Sequence, residues 1–240
     1  MNIFKQFLNK TNLISILRYE KIRFFVAKKR YKYLKKNIRF IKDGSSSIGD
    51  DTIKHNFGAL DSDAAFGCGG RMALLIYPVL AYYGLSTIDR GKKKILIVGC
   101  RTEDDILWMK SYGFNQTKGF DLFSYSKHVL VGDIHKTDFE NETFDVVLLG
   151  WMISYTKDPV TVVKECRRIL KTGGLLGIGI EHNPNQINEN LGTLRVNPLN
   201  STGDIISLFD STIKHKVLFE YDHYNQKDND FSTTVISICK

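Results

Sequence analysis

Three observations predict an α/β chain built on a doubly wound, mostly parallel sheet. The runs ILIVG (95–99), DVVLLG (145–150) and LLGIGI (175–180) are continuously apolar rather than alternating, the mark of strands covered by helices on both faces. Helical periodicity over 103–112 and 158–170 falls between these runs, as crossover connections require. Near the end, 216–221 and 232–238 lie close enough to form an antiparallel pair.

The elements follow in order. Residues 1–43 predict helix: Ile3, Phe4, Phe7 and Leu8, then Leu13, Ile14 and Leu17, recur every three or four positions, and no Gly or Pro intervenes before Gly44. GSSSIGDD (44–51) predicts a hinge. Within 44–92, HNFGALDSDAAFGCGG predicts a glycine-rich loop, and RMALLIYPVLAYYG a helix closed by Gly84 and either kinked or divided at Pro78. From 93 to 240 the strands are expected at 94–99, 117–121, 128–132, 144–149 and 174–180, with a helix near 202–210 before the closing strand pair. Only about seven residues separate Asp121 from the next strand, where a parallel crossover takes about a dozen, so a loop or single turn is expected there.

Composition narrows the class. With 42% hydrophobic and 25% charged residues the chain is globular. No apolar run approaches the roughly 18 residues of a membrane span, and the N-terminus is too densely charged for a signal core, so a cytoplasmic protein is expected. Cys68, Cys100, Cys166 and Cys239 form no C-x-x-C pair and predict neither a zinc site nor disulfides. Of the net charge of +8, residues 1–42 carry 13 Lys or Arg against Glu20 alone, and the rest of the chain is mildly acidic. Three readings of this extension stay open: a helix docking its apolar stripe on the domain or a second subunit, a helix lying on the inner face of an anionic membrane, or a nucleic-acid contact, which the helical spacing of the aromatics disfavours.

The ordered set ILIVGC, KGFDLF, LVGDIH, FDVVLLGWMISYTKDP and ECRRILKTGGLLGIGIE resembles class I S-adenosylmethionine-dependent methyltransferases over residues 93–240, particularly the small-molecule and glycan group. The resemblance implies S-adenosylmethionine as cofactor and a Rossmann-like fold. It implies that Gly99 lets backbone approach the cofactor and that Asp121, with Leu122 beside it, receives the ribose hydroxyls. Asp133 and the Ile134 N–H would meet adenine, with His135 shaping that pocket, and Gly150 and Trp151 would floor the methionine end. The departure from the family is the turn VGCRTE, with Arg101 and Glu103 where further glycines would stand. Since a left-handed L-residue costs about 1–2 kcal/mol, a turn path that avoids that conformation is expected. Arg101 would pair with the cofactor carboxylate and Glu103 with its ammonium or sulfonium, unless Glu103, Asp104 and Asp105 are simply first-turn acids of a helix. Tyr155, Glu181 and His182 are the candidate catalytic residues, and no metal set is present. The implied reaction is methyl transfer to a hydroxyl of a small molecule or sugar. A catalytically inactive scaffold and an RNA methyltransferase are the alternatives, the last without the Pro-Pro-aromatic turn after the fourth strand of the sheet.

Overall fold

A computed structural model describes residues 14–41, 50–61, 71–84, 89–182, 199–209, 214–223 and 232–239. The expectations for Phe4, Phe7, Leu8, Leu13, most of the 44–51 hinge, the Gly-rich loop from 62 on, Cys68 and the His182 and Cys239 side chains fall outside them, whereas residues 55–61, expected in that loop, are helical. The strands are β1 (Arg39–Phe40), β2 (Lys94–Val98), β3 (Gln116–Asp121), β4 (Phe123–Ser124), β5 (Val129–Val131), β6 (Phe144–Gly150), β7 (Leu170–His182), β8 (Lys216–His223) and β9 (Ser232–Cys239). The helices are α1 (Glu20–Leu34), α2 (Asp50–Asp61), α3 (Ala73–Gly84), α4 (Asp104–Ser111), α5 (Pro159–Ile169) and α6 (Thr202–Ser207).

Seven strands form one sheet in the order β5-β3-β2-β6-β7-β9-β8, and β1 pairs with β4 apart from it. The strands from β5 to β7 are parallel, whereas β9 runs antiparallel to both β7 and β8. The chain enters at the central β2, winds out to β5 and then returns to β6 on the other side. That reversal opens a crevice at the carboxyl ends of β2, β3 and β6, the position where such sheets bind ligands.

Strand alternation explains the three layers. Ile95 and Ile97 join Leu75, Ile76 and Val79 of α3 and Ile106 and Met109 of α4 in one apolar cluster. Leu96 and Val98 join Val162, Val163 and Cys166 of α5 and Ile205 of α6 in the other. α5 starts where the Asp158 side chain accepts the Thr161 N–H at 3.0 Å, with Pro159 at the first helical position. β7 is longer than the expected 174–180, because Leu170 already pairs with Phe144 and the register then slips so that Leu175 meets Val146. α3 is a single helix with Pro78 inside it, neither divided nor ended there: Leu75, Ile76, Val79 and Tyr83 on either side of the proline are all buried.

The short β3–β5 connection holds β4 and no helix. Ser124 Oγ accepts the Ser126 N–H at 2.9 Å, and Ser126 Oγ accepts that of His128 at 2.9 Å, so hydroxyls satisfy backbone donors that a helix would otherwise pair. α1 docks on the domain with an unexpected face. Its buried residues are Arg23, Ala27 and Tyr31, four apart, rather than an apolar stripe. Arg23 is 1% exposed; its Nε donates to Asp104 Oδ1 at 2.9 Å, and its guanidinium lies 4.2 Å from the centre of the Trp108 ring. Asp104 at the start of α4 thus draws Arg23 inward, while Phe25 and Tyr33 stay outside.

Candidate functional site

The turn after β2 sets the geometry of the crevice. Gly99 has φ +73, and a Cβ there would lie 2.7 Å from Met152 Cβ, so both conformation and close approach require glycine. Arg101 has φ +47. The turn therefore keeps the left-handed conformation at a non-glycine residue, contrary to the path expected from the sequence, whereas Glu103 is right-handed with φ −82. Asp121 holds the strained residue: its Oδ2 accepts the Arg101 N–H at 2.9 Å and its Oδ1 that of Leu122 at 2.7 Å. Two charge-assisted bonds offset a strain of about 1–2 kcal/mol. Burial pushes the Asp121 carboxyl up, against the pull of those two N–H groups.

Glu103 stands apart from the crevice lining. Fully buried, it accepts hydrogen bonds from Arg30 and from Ser126 Oγ, and its N–H donates to Tyr125 Oη at 3.2 Å. Burial alone would raise its carboxyl, but Arg30 and Ser126 outweigh that and hold it below the ordinary range.

Gly99, Arg101, Gly150 and Trp151 divide the crevice into two lobes and line both. The first lobe, beyond β3 and β5, brings together Asp121, Leu122, Asp133, Ile134, Tyr155 and Thr156. Asp133 Oδ1 accepts the His135 N–H at 2.9 Å and lies 2.5 Å from His135 Nδ1, while His135 Nε2 meets Thr156 Oγ1. The second lobe lies between α1, α4 and the start of α3 and is lined by Arg23, Arg71, Met72, Asp105 and Trp108. Arg71 is paired with Glu181 at the end of β7, and its guanidinium lies 5.6 Å from the Trp151 ring centre. Trp151 has φ +56, donates its N–H to the Gly179 carbonyl at 3.0 Å, and has a buried Nε1 without a hydrogen-bond partner. A second strained non-glycine residue and an orphaned donor thus sit at one strand end.

Asp105 is the residue that sequence reasoning passed over. It lies four positions after Arg101 and lines the second lobe, and in the sequence it reads as one of the first-turn acids of α4. Desolvation and the neighbouring Asp104 push its carboxyl up to about 7, and desolvation pushes that of Asp104 to about 6 despite Arg23. Its four-residue spacing from Arg101 was the legible signal. Of the candidate catalytic residues, Tyr155 lines the first lobe, Glu181 is engaged by Arg71 and lines neither lobe, and His182 is described only as a backbone pair of Ser232. Among the described residues no group of three or more His, Cys, Asp or Glu is placed to hold a metal ion. Cys100 and Cys166 are buried and unpaired.

A sheet of this order, with acidic residues at or just past the ends of β3 and β5, is that of the class I S-adenosylmethionine-dependent methyltransferase fold. Residues 96–178 match the family described as a methyltransferase domain. No curated protein sequence matches the chain. Among solved structures it is similar to an S-adenosylmethionine dependent methyltransferase from Mesorhizobium loti, with 14% identity over 72% of this chain and 99% of that one and a TM-score of 0.51. The PH0226 protein from Pyrococcus horikoshii OT3 shares 17% identity over 70% of this chain and 89% of its own, with a TM-score of 0.51. The [4+2]-cyclase SpnF shares 16% over 69% and 80%, with a TM-score of 0.52. At such identities these three establish the fold alone.

The residues present fit the cofactor of this class, S-adenosylmethionine. The first lobe combines apolar walls at Leu122 and Ile134 with carboxylates at two neighbouring strand ends, suited to an adenosine. The second offers an arginine and a carboxylate for an amino acid, beside the orphaned Trp151 Nε1.

Proposed function

We propose that the chain transfers a methyl group from S-adenosylmethionine to a hydroxyl of a small molecule or a sugar precursor of a glycan. The observation that carries the reading is the pairing, across one crevice, of Asp121 and Asp133 in one lobe with Arg101 and Asp105 in the other. The cofactor supplies a methyl group on a sulfonium. Asp121, already fixed by two N–H donors, keeps lone pairs for the ribose hydroxyls, and Asp133 with the Ile134 N–H reads the adenine edge. Arg101 binds the carboxylate of the amino acid end. Asp105 takes the ammonium, the role first expected of Glu103, whose carboxylate is spent on Arg30 and Ser126. Gly150 and Trp151 wall the methyl-bearing end. In-line positioning of an acceptor supplies the larger part of such a rate enhancement, about 7–11 kcal/mol. Tyr155 from one side and Glu181, through Arg71, from the other are the groups that would orient the acceptor hydroxyl, with His182 next along β7.

The similarity to a [4+2]-cyclase favours a second reading, the same fold without methyl transfer. Incubation with methyl-labelled S-adenosylmethionine and pooled sugar and small-molecule acceptors separates the two. Labelled product supports the enzyme. Tight cofactor binding with no label in any pool supports the second reading. A cytoplasmic site of action, with peripheral contact of residues 1–43 at the inner face of a membrane, belongs to the first.

A further inference from the structure

We propose that the outward face of α1, with the open groove beside it, is a binding surface for anionic lipid. The inference rests on the peripheral contact just named and gives it a definite location. Docking and membrane contact are not alternatives here, because they use opposite faces of one helix. Arg23, Ala27 and Tyr31 are buried against the domain, which fixes Lys21, Ile22, Phe25, Lys29, Lys32 and Tyr33 outward. Phe25 is 61% and Tyr33 79% exposed. Six of the twelve large apolar side chains exposed among the described residues fall between Ile16 and Phe40, and three of these, Ile22, Phe25 and Tyr33, are on α1 itself.

Charge selects the partner. Residues 14–41 carry ten Lys or Arg against the single acid Glu20. Arg23 and Arg30 are used internally, which leaves Lys21, Lys32, Lys35 and Lys36 exposed beside the aromatics. Phe25 and Tyr33 interleaved with lysines suit the headgroup boundary of a bilayer, where rings settle below and ammonium groups reach the phosphates.

The groove gives a place for one headgroup. It has a volume of about 620 Å³, against about 90 and 80 Å³ for the two lobes of the crevice. Lys29, Arg30, Arg39 and Lys127 line it together with Tyr33 and Asn37, and among the described residues no carboxylate does. Arg39 is pinned there: its Nη2 donates to the Ser126 carbonyl at 2.7 Å and to that of Val129 at 3.1 Å. Its Nε and Nη1 are left to meet a phosphate from a fixed position.

The test is sedimentation of the full chain with vesicles of phosphatidylcholine alone and of phosphatidylcholine with phosphatidylglycerol at 7:3. The inference expects at least tenfold stronger binding to the anionic vesicles, fading with added salt. Phe25→Ser, the triple variant Lys32→Glu, Lys35→Glu, Lys36→Glu, and the groove variant Arg39→Gln, Lys127→Gln should each weaken it at least fivefold, with unchanged thermal midpoint and cofactor binding. Equal sedimentation with both vesicles overturns it, as does undiminished binding by the Phe25 and triple-lysine variants. Tighter binding of a short RNA than of anionic vesicles at the same salt assigns the face to nucleic acid and also overturns it. Vesicle binding by a chain that binds no cofactor would uphold this surface while removing the methyl-transfer reading.

Discussion

Arg30 on the N-terminal helix and Glu103 in the turn after β2 are 73 residues apart in sequence and meet in a two-point ion pair, Nη2 donating to Oε1 at 3.0 Å and Nε to Oε2. The carboxylate end is fully buried, and the guanidinium side chain is 38% exposed. A turn that lacks its usual glycines is thus braced from outside the domain by a residue of the extension.

Removing either partner should be costly and non-additive. Glu103→Ala strands Arg30 and empties a buried site, for an expected loss of about 2–4 kcal/mol, and Arg30→Ala leaves a buried carboxylate for about the same, at the low end because of its exposure. The double variant should be less damaging than the sum of the two by at least about 1 kcal/mol. Urea unfolding of all four proteins measures this, and additive losses would mean that the pair contributes only packing.

Asp121 should matter to the ligand and to the protein together. Asp121→Asn keeps the shape but weakens the hold on the Arg101 N–H, so S-adenosylhomocysteine affinity by calorimetry should fall by about 1–3 kcal/mol and stability by about 1 kcal/mol. An intact affinity would remove Asp121 from the ribose site.

Arg101 offers a sharper separation. Arg101→Gly relieves the left-handed strain of about 1–2 kcal/mol, less the entropy that glycine adds to the unfolded chain, so the variant should melt at or slightly above the wild-type temperature. It should nevertheless bind S-adenosylmethionine about tenfold or more weakly, with 5′-methylthioadenosine, which lacks the amino acid end, nearly unaffected. Asp105→Asn should share this ligand pattern. Parallel losses for both ligands would assign the two residues to the fold.

The pH dependence follows from Asp105 and Asp104. Their carboxyls are pushed up to about 7 and about 6, so between pH 4 and 7 the folded chain holds protons that the unfolded chain has released. Stability contributed by these groups therefore falls as pH rises through that window. Asp105→Asn should be the more stable protein at pH 8, and its advantage should shrink towards pH 4. Thermal melts of both proteins at a series of pH values give the slope, and an advantage that grows on acidification would contradict the upward push on the Asp105 carboxyl. At the acid end Glu165 acts oppositely: Arg168 and Thr137 outweigh burial and hold it at about 2, so its contribution is lost as pH falls towards that value.

The sheet was legible because its strands are buried on both sides and so carry unbroken apolar runs, and Asp121 and Asp133 were legible because strand ends are where such sheets place ligands. Arg101's conformation was not. The sequence shows that glycine is missing, but Asp121, which makes the left-handed turn tolerable, lies 20 residues away. The docked face of α1 was hidden for a similar reason. Helical periodicity marks apolar residues as the buried ones, yet Arg23 is buried because Asp104 and Trp108 wait for it across a separation of 81 residues. Asp105 was masked by company, since an acid in the first turn of a helix has a sufficient local explanation.

The buried Arg23 also dictates the sequence of events when the chain is made. α1 emerges before the domain it docks on, and the carboxylate and indole that receive its guanidinium are synthesised some 80 residues later. An arginine cannot leave water without its partner, so the helix stays undocked at least until α4 has formed. Until then its lysines and rings are exposed on both sides, and a nascent chain beside an anionic surface meets that surface before it meets its own fold.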